Sequence, residues 1–177
     1  MTSDEDSVLL AEARAGSRLS LSRLIDRHQQ AVRAFLRRVA VDREDADDLA
    51  QETFVTAWAQ LAAWRGQSTV RAWLLGIAWR KSRSASRSLF RRMARDRSWS
   101  EAEALAATAS SSAEDRLTLD GALKTLSAQQ RAAVALCMAE DYSHAEAAEI
   151  LGLPLGTVKS QVLRGRARLL EVLEGRS

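Results

Sequence analysis

The sequence predicts an all-α fold of two small helical domains joined by a flexible linker. Three observations lead there. The 177 residues include one proline and eight glycines, so few positions interrupt a helix. Large apolar residues recur at intervals of three and four, which places them on one side of a helix, whereas a half-buried strand shows them at every second position. From Ser98 to Ala113 the composition shifts to Ser, Ala, Thr and Glu, with few large apolar side chains. Such a stretch buries too little surface to offset the entropy of ordering it. Residues 98–113 therefore read as a linker between domains at 1–97 and 114–177.

Composition narrows the function classes. With 46% hydrophobic and 28% charged residues, the chain is globular rather than wholly disordered. A formal charge of +3 hides strong segregation: Asp42–Glu52 holds six acids and one base, Arg80–Arg97 eight bases and one acid. Partners follow from such local charge more than from the total. No apolar stretch reaches the length of a bilayer span, and the N-terminus is acidic where a secretory signal is basic and then apolar, so a cytoplasmic protein is expected. Cys137 is the single cysteine, so no internal disulfide is expected. With His28 and His144 far apart, no metal site and no cofactor are expected, and no nucleophile and base pair suggests an enzyme.

In the first domain, a helix is expected over Asp4–Ala15, with Val8, Leu9 and Leu10 as its apolar part and Gly16 as its stop. A longer one spans Leu19–Val41, because Leu21, Leu24, Ile25, His28, Val32, Phe35, Leu36 and Val39 share a stripe. His28 reads as a packed residue with one hydrogen bond rather than a catalytic one. Asp42 can cap a third helix running to about Ala63. Its inner stripe is Ala46, Leu49, Ala50, Thr53, Phe54, Ala57, Trp58 and Leu61, and Asp48, Gln51, Glu52 and Val55 lie outside, as an acidic patch.

Gly66 then breaks the pattern, and Ser68 is a fair N-cap for the next helix. Trp64, Arg65, Gly66, Gln67 and Ser68 gather an aromatic ring, a guanidinium and small polar groups, a mixture that suits unpaired bases. Trp64 as a core residue closing the preceding helix is the competing reading. The fourth helix turns Val70, Trp73, Leu74, Ile77 and Ala78 inward and becomes basic from Arg80 through Lys81, Arg83, Arg87, Arg91 and Arg92, so phosphate is its expected counterion. Trp79 within that run fits nucleic acid better than a merely solvated surface.

The second domain begins near Glu114 with Leu117, Leu119, Leu123 and Leu126 on a first helix. Ser127 with Gln130 forms a capping box before a helix bearing Ala133, Val134, Leu136, Cys137 and Met138. Ser143 with Glu146 forms another, and the helix it opens stops at Gly152. Leu153-Pro154 leads directly into a last helix. This is a helix-turn-helix. Val158, Val162, Gly165 and Leu169 supply the packed side of the last helix, while Thr157, Ser160, Gln161, Arg164 and Arg168 lie on or near the side that fits a DNA major groove. A helical hairpin with a solvated basic face is the plainer alternative.

Three strings now stand in order: Asp45-Ala-Asp-Asp-Leu-Ala-Gln-Glu-Thr-Phe-Val-Thr-Ala-Trp58, Trp64-Arg-Gly-Gln-Ser-Thr-Val-Arg-Ala-Trp-Leu-Leu-Gly-Ile-Ala78, and Leu126-Ser-Ala-Gln-Gln-Arg131 followed by Ala147-Ala-Glu-Ile-Leu-Gly-Leu-Pro-Leu-Gly-Thr-Val-Lys-Ser160. Together they resemble a bacterial extracytoplasmic-function sigma factor of the sigma-70 family, across nearly the whole chain. The resemblance implies an alternative sigma factor with a region-two and a region-four domain, which binds core RNA polymerase and recognises and melts promoter DNA.

By the same resemblance, Asp48, Gln51, Glu52 and Val55 meet the clamp helices of the beta-prime subunit. Trp64, Arg65, Gly66, Gln67 and Ser68 match the loop that captures a flipped base of the minus-ten element, and Arg80, Lys81, Arg83 and Ser84 the helix beside it. Thr157, Lys159, Ser160, Gln161, Leu163, Arg164 and Arg168 fall at the minus-thirty-five element, and an apolar surface of the second domain holds the beta flap. An anti-sigma factor, often membrane-bound in the family, is an expected partner. Three positions depart from the pattern: Arg80 where asparagine is frequent, Gln161 for a frequent arginine, and Gly165 where alanine is common. Gly165 weakens its helix by about 0.5–1 kcal/mol unless close packing compensates. The alternative is a stand-alone helix-turn-helix regulator that binds duplex DNA without core polymerase.

Overall fold

A computed structural model describes residues 2–40, 45–97 and 119–175, all helix and connecting turns with no strand among them. The expected cap at Asp42, the linker at 98–113 and the Glu114–Leu117 start of the second domain lie outside these residues. The helices are α1 (Thr2–Arg14), α2 (Arg18–Val39), α3 (Asp45–Gln60), α4 (Val70–Arg97), α5 (Leu119–Lys124), α6 (Ala128–Val134), α7 (His144–Leu151) and α8 (Leu155–Leu173). They form two compact units, one of Met1–Ser82 with Glu149–Gly152 and the other of Arg83–Ala148 with Leu153–Ser177.

In the first unit α2 is the spine. Its stripe of Leu24, His28, Val32, Phe35, Leu36 and Val39 is buried as the spacing predicts. α1 packs on it with Leu10 and Ala13, while Val8 of the expected apolar part is exposed. The turn between them is a Schellman closure: Gly16, at φ +100°, donates to Ala13 O and Ser17 to Glu12 O. Ser17 then caps α2 by accepting from Ser20 N at 3.2 Å. Acidic residues early in α1 anchor it to α2. Asp6 is buried with Oδ2 3.0 Å from His28 Nε2 and Oδ1 3.3 Å from Arg27, which also pairs with Glu5.

Two tryptophans exchange their expected places. Trp58, assigned to the inner stripe of α3, is 44% exposed. Trp79, assigned to the nucleic-acid face, is 1% exposed and belongs to the core. The helical period explains Trp79, which follows buried Ala72 and Leu75 at i+7 and i+4. A third correction concerns the start of α4, where Thr69 rather than Ser68 is the cap: its Oγ1 accepts from Ala72 N at 3.1 Å.

The second unit centres on Ala122, Leu123, Leu126, Val134 and Leu169, with Val172 packed against them. Both capping boxes are present. Ser127 N donates to Gln130 Oε1 at 2.9 Å and Gln130 N to Ser127 Oγ at 3.3 Å; Ser143 N donates to Glu146 Oε2 at 2.9 Å and Glu146 N to Ser143 Oγ at 3.2 Å. α6 runs into a π-helical turn over Ala135–Ala139, in which Glu140 N donates to Ala135 O. No glycine, proline or β-branched residue marks it in the sequence. α7 closes with the same Schellman pattern as α1, Gly152 at φ +62° donating to Glu149 O and Leu153 to Ala148 O. Pro154 caps α8, which buries Val158, Gly165 and Leu169.

Candidate functional sites

On α3, Asp48, Gln51, Glu52 and Val55 fall at i, i+3, i+4 and i+7, and all four are exposed, Val55 at 69%. Asp48 makes no ion pair among the described residues. Asp47, one position round the helix, is instead taken by Arg33 at 3.6 Å and Arg37 at 3.8 Å. Exposed Trp58 adjoins the patch three residues beyond Val55, so the surface combines acids with an aliphatic and an indole side chain. That combination suits a partner that is basic with apolar patches. Trp58 is the member that sequence reasoning missed, since it lies on the border between the two faces of α3.

Glu52 ties this surface to the next. Its Oε2 lies 3.3 Å from Lys81 Nζ on α4, so a residue expected to meet polymerase and one expected to meet DNA are paired with each other. Glu52 is exposed and Lys81 half-buried, so the pair stays in contact with water and is worth about 0–1 kcal/mol, and either member is easily given up to a partner. Arg80 and Ser84 are exposed, and Arg83 is half-buried.

In the loop between α3 and α4, Arg65, Gln67 and Ser68 are exposed and Gly66 turns the chain at φ +74°. Trp64 differs from these. It is half-buried and stacks on Trp73, with ring centroids 4.6 Å apart and planes 13° from parallel. The Arg14 guanidinium lies 5.8 Å from its ring centre. The Trp64 ring is packed within the fold yet keeps part of its surface open, and the fully exposed polar groups of the loop are Arg65, Gln67 and Ser68.

On α8, Lys159, Leu163, Arg164 and Arg168 are exposed, Leu163 at 71%, while Thr157, Ser160 and Gln161 are half-buried. Ser160 Oγ donates to Thr157 O at 2.8 Å and accepts from Arg164 Nη2 at 3.2 Å, which lays the Arg164 side chain back along the helix. Arg168 pairs with Glu171 at 3.1 Å. Gln161 Nε2 donates to Gln129 Oε1 on α6 at 3.3 Å, so its amide is partly engaged inside the domain. A helix presenting lysine and arginine beside a serine and a leucine can reach phosphates and base edges in a major groove. Among the described residues no group of three His, Cys, Asp or Glu side chains could hold a metal ion, and no helix is long and apolar enough to cross a membrane.

Comparison with known proteins agrees with this layout. The family model for Sigma-70 region 2 matches residues 24–101, and that for Sigma-70, region 4 matches residues 116–169. The chain is 32% identical over 168 residues to the ECF RNA polymerase sigma factor SigM of Mycobacterium tuberculosis, covering 95% of this chain and 84% of the relative. It is 30% identical over 187 residues to the RNA polymerase sigma factor CnrH of Cupriavidus metallidurans, with coverage of 98% and 97%. Among solved structures, CnrH in complex with the cytosolic domain of CnrY matches with a TM-score of 0.71 at 27% identity, over 98% of this chain and 99% of that one. The sigma factor RpoE in complex with the anti-sigma factor NepR from Bartonella quintana matches with a TM-score of 0.67 at 30% identity, over 88% and 98%.

Proposed function

The chain belongs to the sigma-70 family, among its extracytoplasmic-function sigma factors, and from that membership we propose how its surfaces divide the work of a promoter-specificity subunit. As a sigma factor it binds core RNA polymerase and directs initiation at particular promoters; its relatives favour this over a stand-alone regulator. In our reading, residues 1–97 form the region-two domain, 98–113 the tether and 114–177 the region-four domain. Asp48, Gln51, Glu52, Val55 and Trp58 dock on the beta-prime clamp helices. Arg65, Gln67 and Ser68 meet an extruded minus-ten base, and Arg80, Lys81, Arg83 and Ser84 follow the adjoining strand. Extruding a base costs stacking energy, so recognition and melting become one event.

Lys159, Ser160, Leu163 and Arg164 read the minus-thirty-five element, with Thr157, Gln161 and Arg168 beside them. Nucleotide transfer is left to polymerase. CnrH and RpoE are each held by a partner in their solved structures, and an anti-sigma factor likewise restrains this chain in the cytoplasm, at the inner membrane where that factor is membrane-bound.

The observation that carries the reading is the α3 surface, where an unpaired Asp48 and a loosely held Glu52 sit beside exposed Val55 and Trp58. Reversing its charge with Asp48→Lys and Glu52→Lys is expected to abolish pull-down with core polymerase. Normal pull-down and normal promoter-dependent transcription by that variant would sink the assignment.

A further inference from the structure

Arg14 stands on α1, outside every surface assigned above, yet its side chain ends in the loop between α3 and α4. Nε donates to the Leu61 carbonyl at 3.2 Å, Nη2 donates to the Trp64 carbonyl, and the guanidinium lies 5.8 Å from the Trp64 ring centre. Those carbonyls come just after α3, where backbone oxygens lack helical partners and the dipole favours a cation. α3 has no basic residue in its own last turn. Arg14 supplies one from 47 and 50 residues upstream.

The starting point of that reach is itself fixed. α1 is held on α2 by Asp6 to His28, by Glu5 to Arg27 and by Ser20 donating to Glu12. The loop, by contrast, holds itself weakly. Between the bond from Trp64 N to Gln60 O and the bond from Trp73 N to Thr69 O, no backbone pair among the described residues closes it. Its Trp64 end is secured by Arg14 and by the stack on Trp73, and its other end by the Thr69 cap.

We infer that Arg14 is a positioning residue for minus-ten capture: it clamps the Trp64 end of the loop, so that Arg65, Gln67 and Ser68 meet the unpaired strand already ordered. This rests on the assignment of the loop to the minus-ten element. An ordered loop loses less conformational freedom when it binds, which raises affinity without a new contact. Arginine suits the task because its planar fork serves two carbonyls and lies over a ring, whereas lysine offers one point charge.

The test uses holoenzyme assembled from core polymerase and the full chain carrying Arg14→Ala or Arg14→Lys, measured on a duplex promoter. With Arg14→Ala, promoter opening is expected to slow about tenfold from loss of preorganisation while core affinity holds and the thermal midpoint falls only by the few degrees that a lost helix-end cation costs, and Arg14→Lys should recover part of the rate. Unchanged opening overturns the inference, as does a fall in opening matched by equal losses of core affinity and thermal midpoint, which marks a merely structural role. Arg65→Ala with Gln67→Ala separates the two levels. If that variant opens promoters normally, the loop assignment fails and the inference with it. If it opens them slowly while Arg14→Ala does not, the role of Arg14 alone is refuted.

Discussion

A Cβ on Gly165 would stand 2.7 Å from Val134 Cγ2 and 3.5 Å from Gln130 Cβ. Propensity alone charges glycine about 0.5–1 kcal/mol at this helix position. Packing reverses the sign, because overpacking a tight contact costs about 1–3 kcal/mol and the β-branched Val134 has little freedom to turn away. Gly165→Ala is therefore expected to destabilise the second unit by about 1 kcal/mol. A thermal midpoint equal to or above that of the parent chain would contradict this.

His28 provides a pH test. Burial pushes its imidazole below the ordinary histidine value, with help from Arg27 and Arg71 and against the pull of Asp6. As pH falls through about 6.5 the unfolded chain takes up a proton that the folded chain refuses, so stability is full above that pH and is lost below it. Thermal midpoints measured from about pH 7 down to about pH 5.5 should decline, and His28→Gln should remove part of that decline. A packed His28 with a single partner was legible from its place in the α2 stripe. Arg14 was not, because nothing local marks a contact made some fifty residues away.

Helix boundaries set by short-range chemistry were the most legible elements. The boxes at Ser127 and Ser143 and the stop at Gly152 each involve groups within a few residues of one another, so residue types alone announce them. The π-helical turn at Ala135–Ala139 was silent, since no residue type within it marks the change of hydrogen-bond spacing; after it the backbone N–H of Tyr142 donates to Leu136 O. Choosing between Ser68 and Thr69 as a cap likewise needed the backbone path, because both side chains carry the required oxygen. For α8, spacing showed which residues face outward but not that Ser160 holds Arg164 or that Gln129 holds Gln161. Lys159→Ala and Arg164→Ala are expected to weaken binding to the cognate upstream element by about 1–3 kcal/mol per lost base contact. Equal affinity in titrations of that duplex at fixed salt would remove α8 as the reader.

Across the whole molecule, the presence of two helical units was legible in the composition, but their division between Ser82 and Arg83 within α4 was not, nor was the way charge is shared between surfaces. Asp42–Glu52 and Arg80–Arg97 read as separate blocks of opposite sign, yet Glu52 and Lys81 meet at 3.3 Å in the first unit. Charge reversal at Asp48 and Glu52 should consequently leave upstream duplex binding by α8 intact while removing core polymerase, a contrast that separates loss of docking from loss of fold. The Glu52–Lys81 pair also bears on the order of events. A clamp that takes Glu52 leaves Lys81 without its counterion and so better disposed to a phosphate, and a phosphate that takes Lys81 does the same for Glu52. By reciprocity each arrival favours the other, and a pair in contact with water and worth at most about 1 kcal/mol limits that cooperation to roughly fivefold.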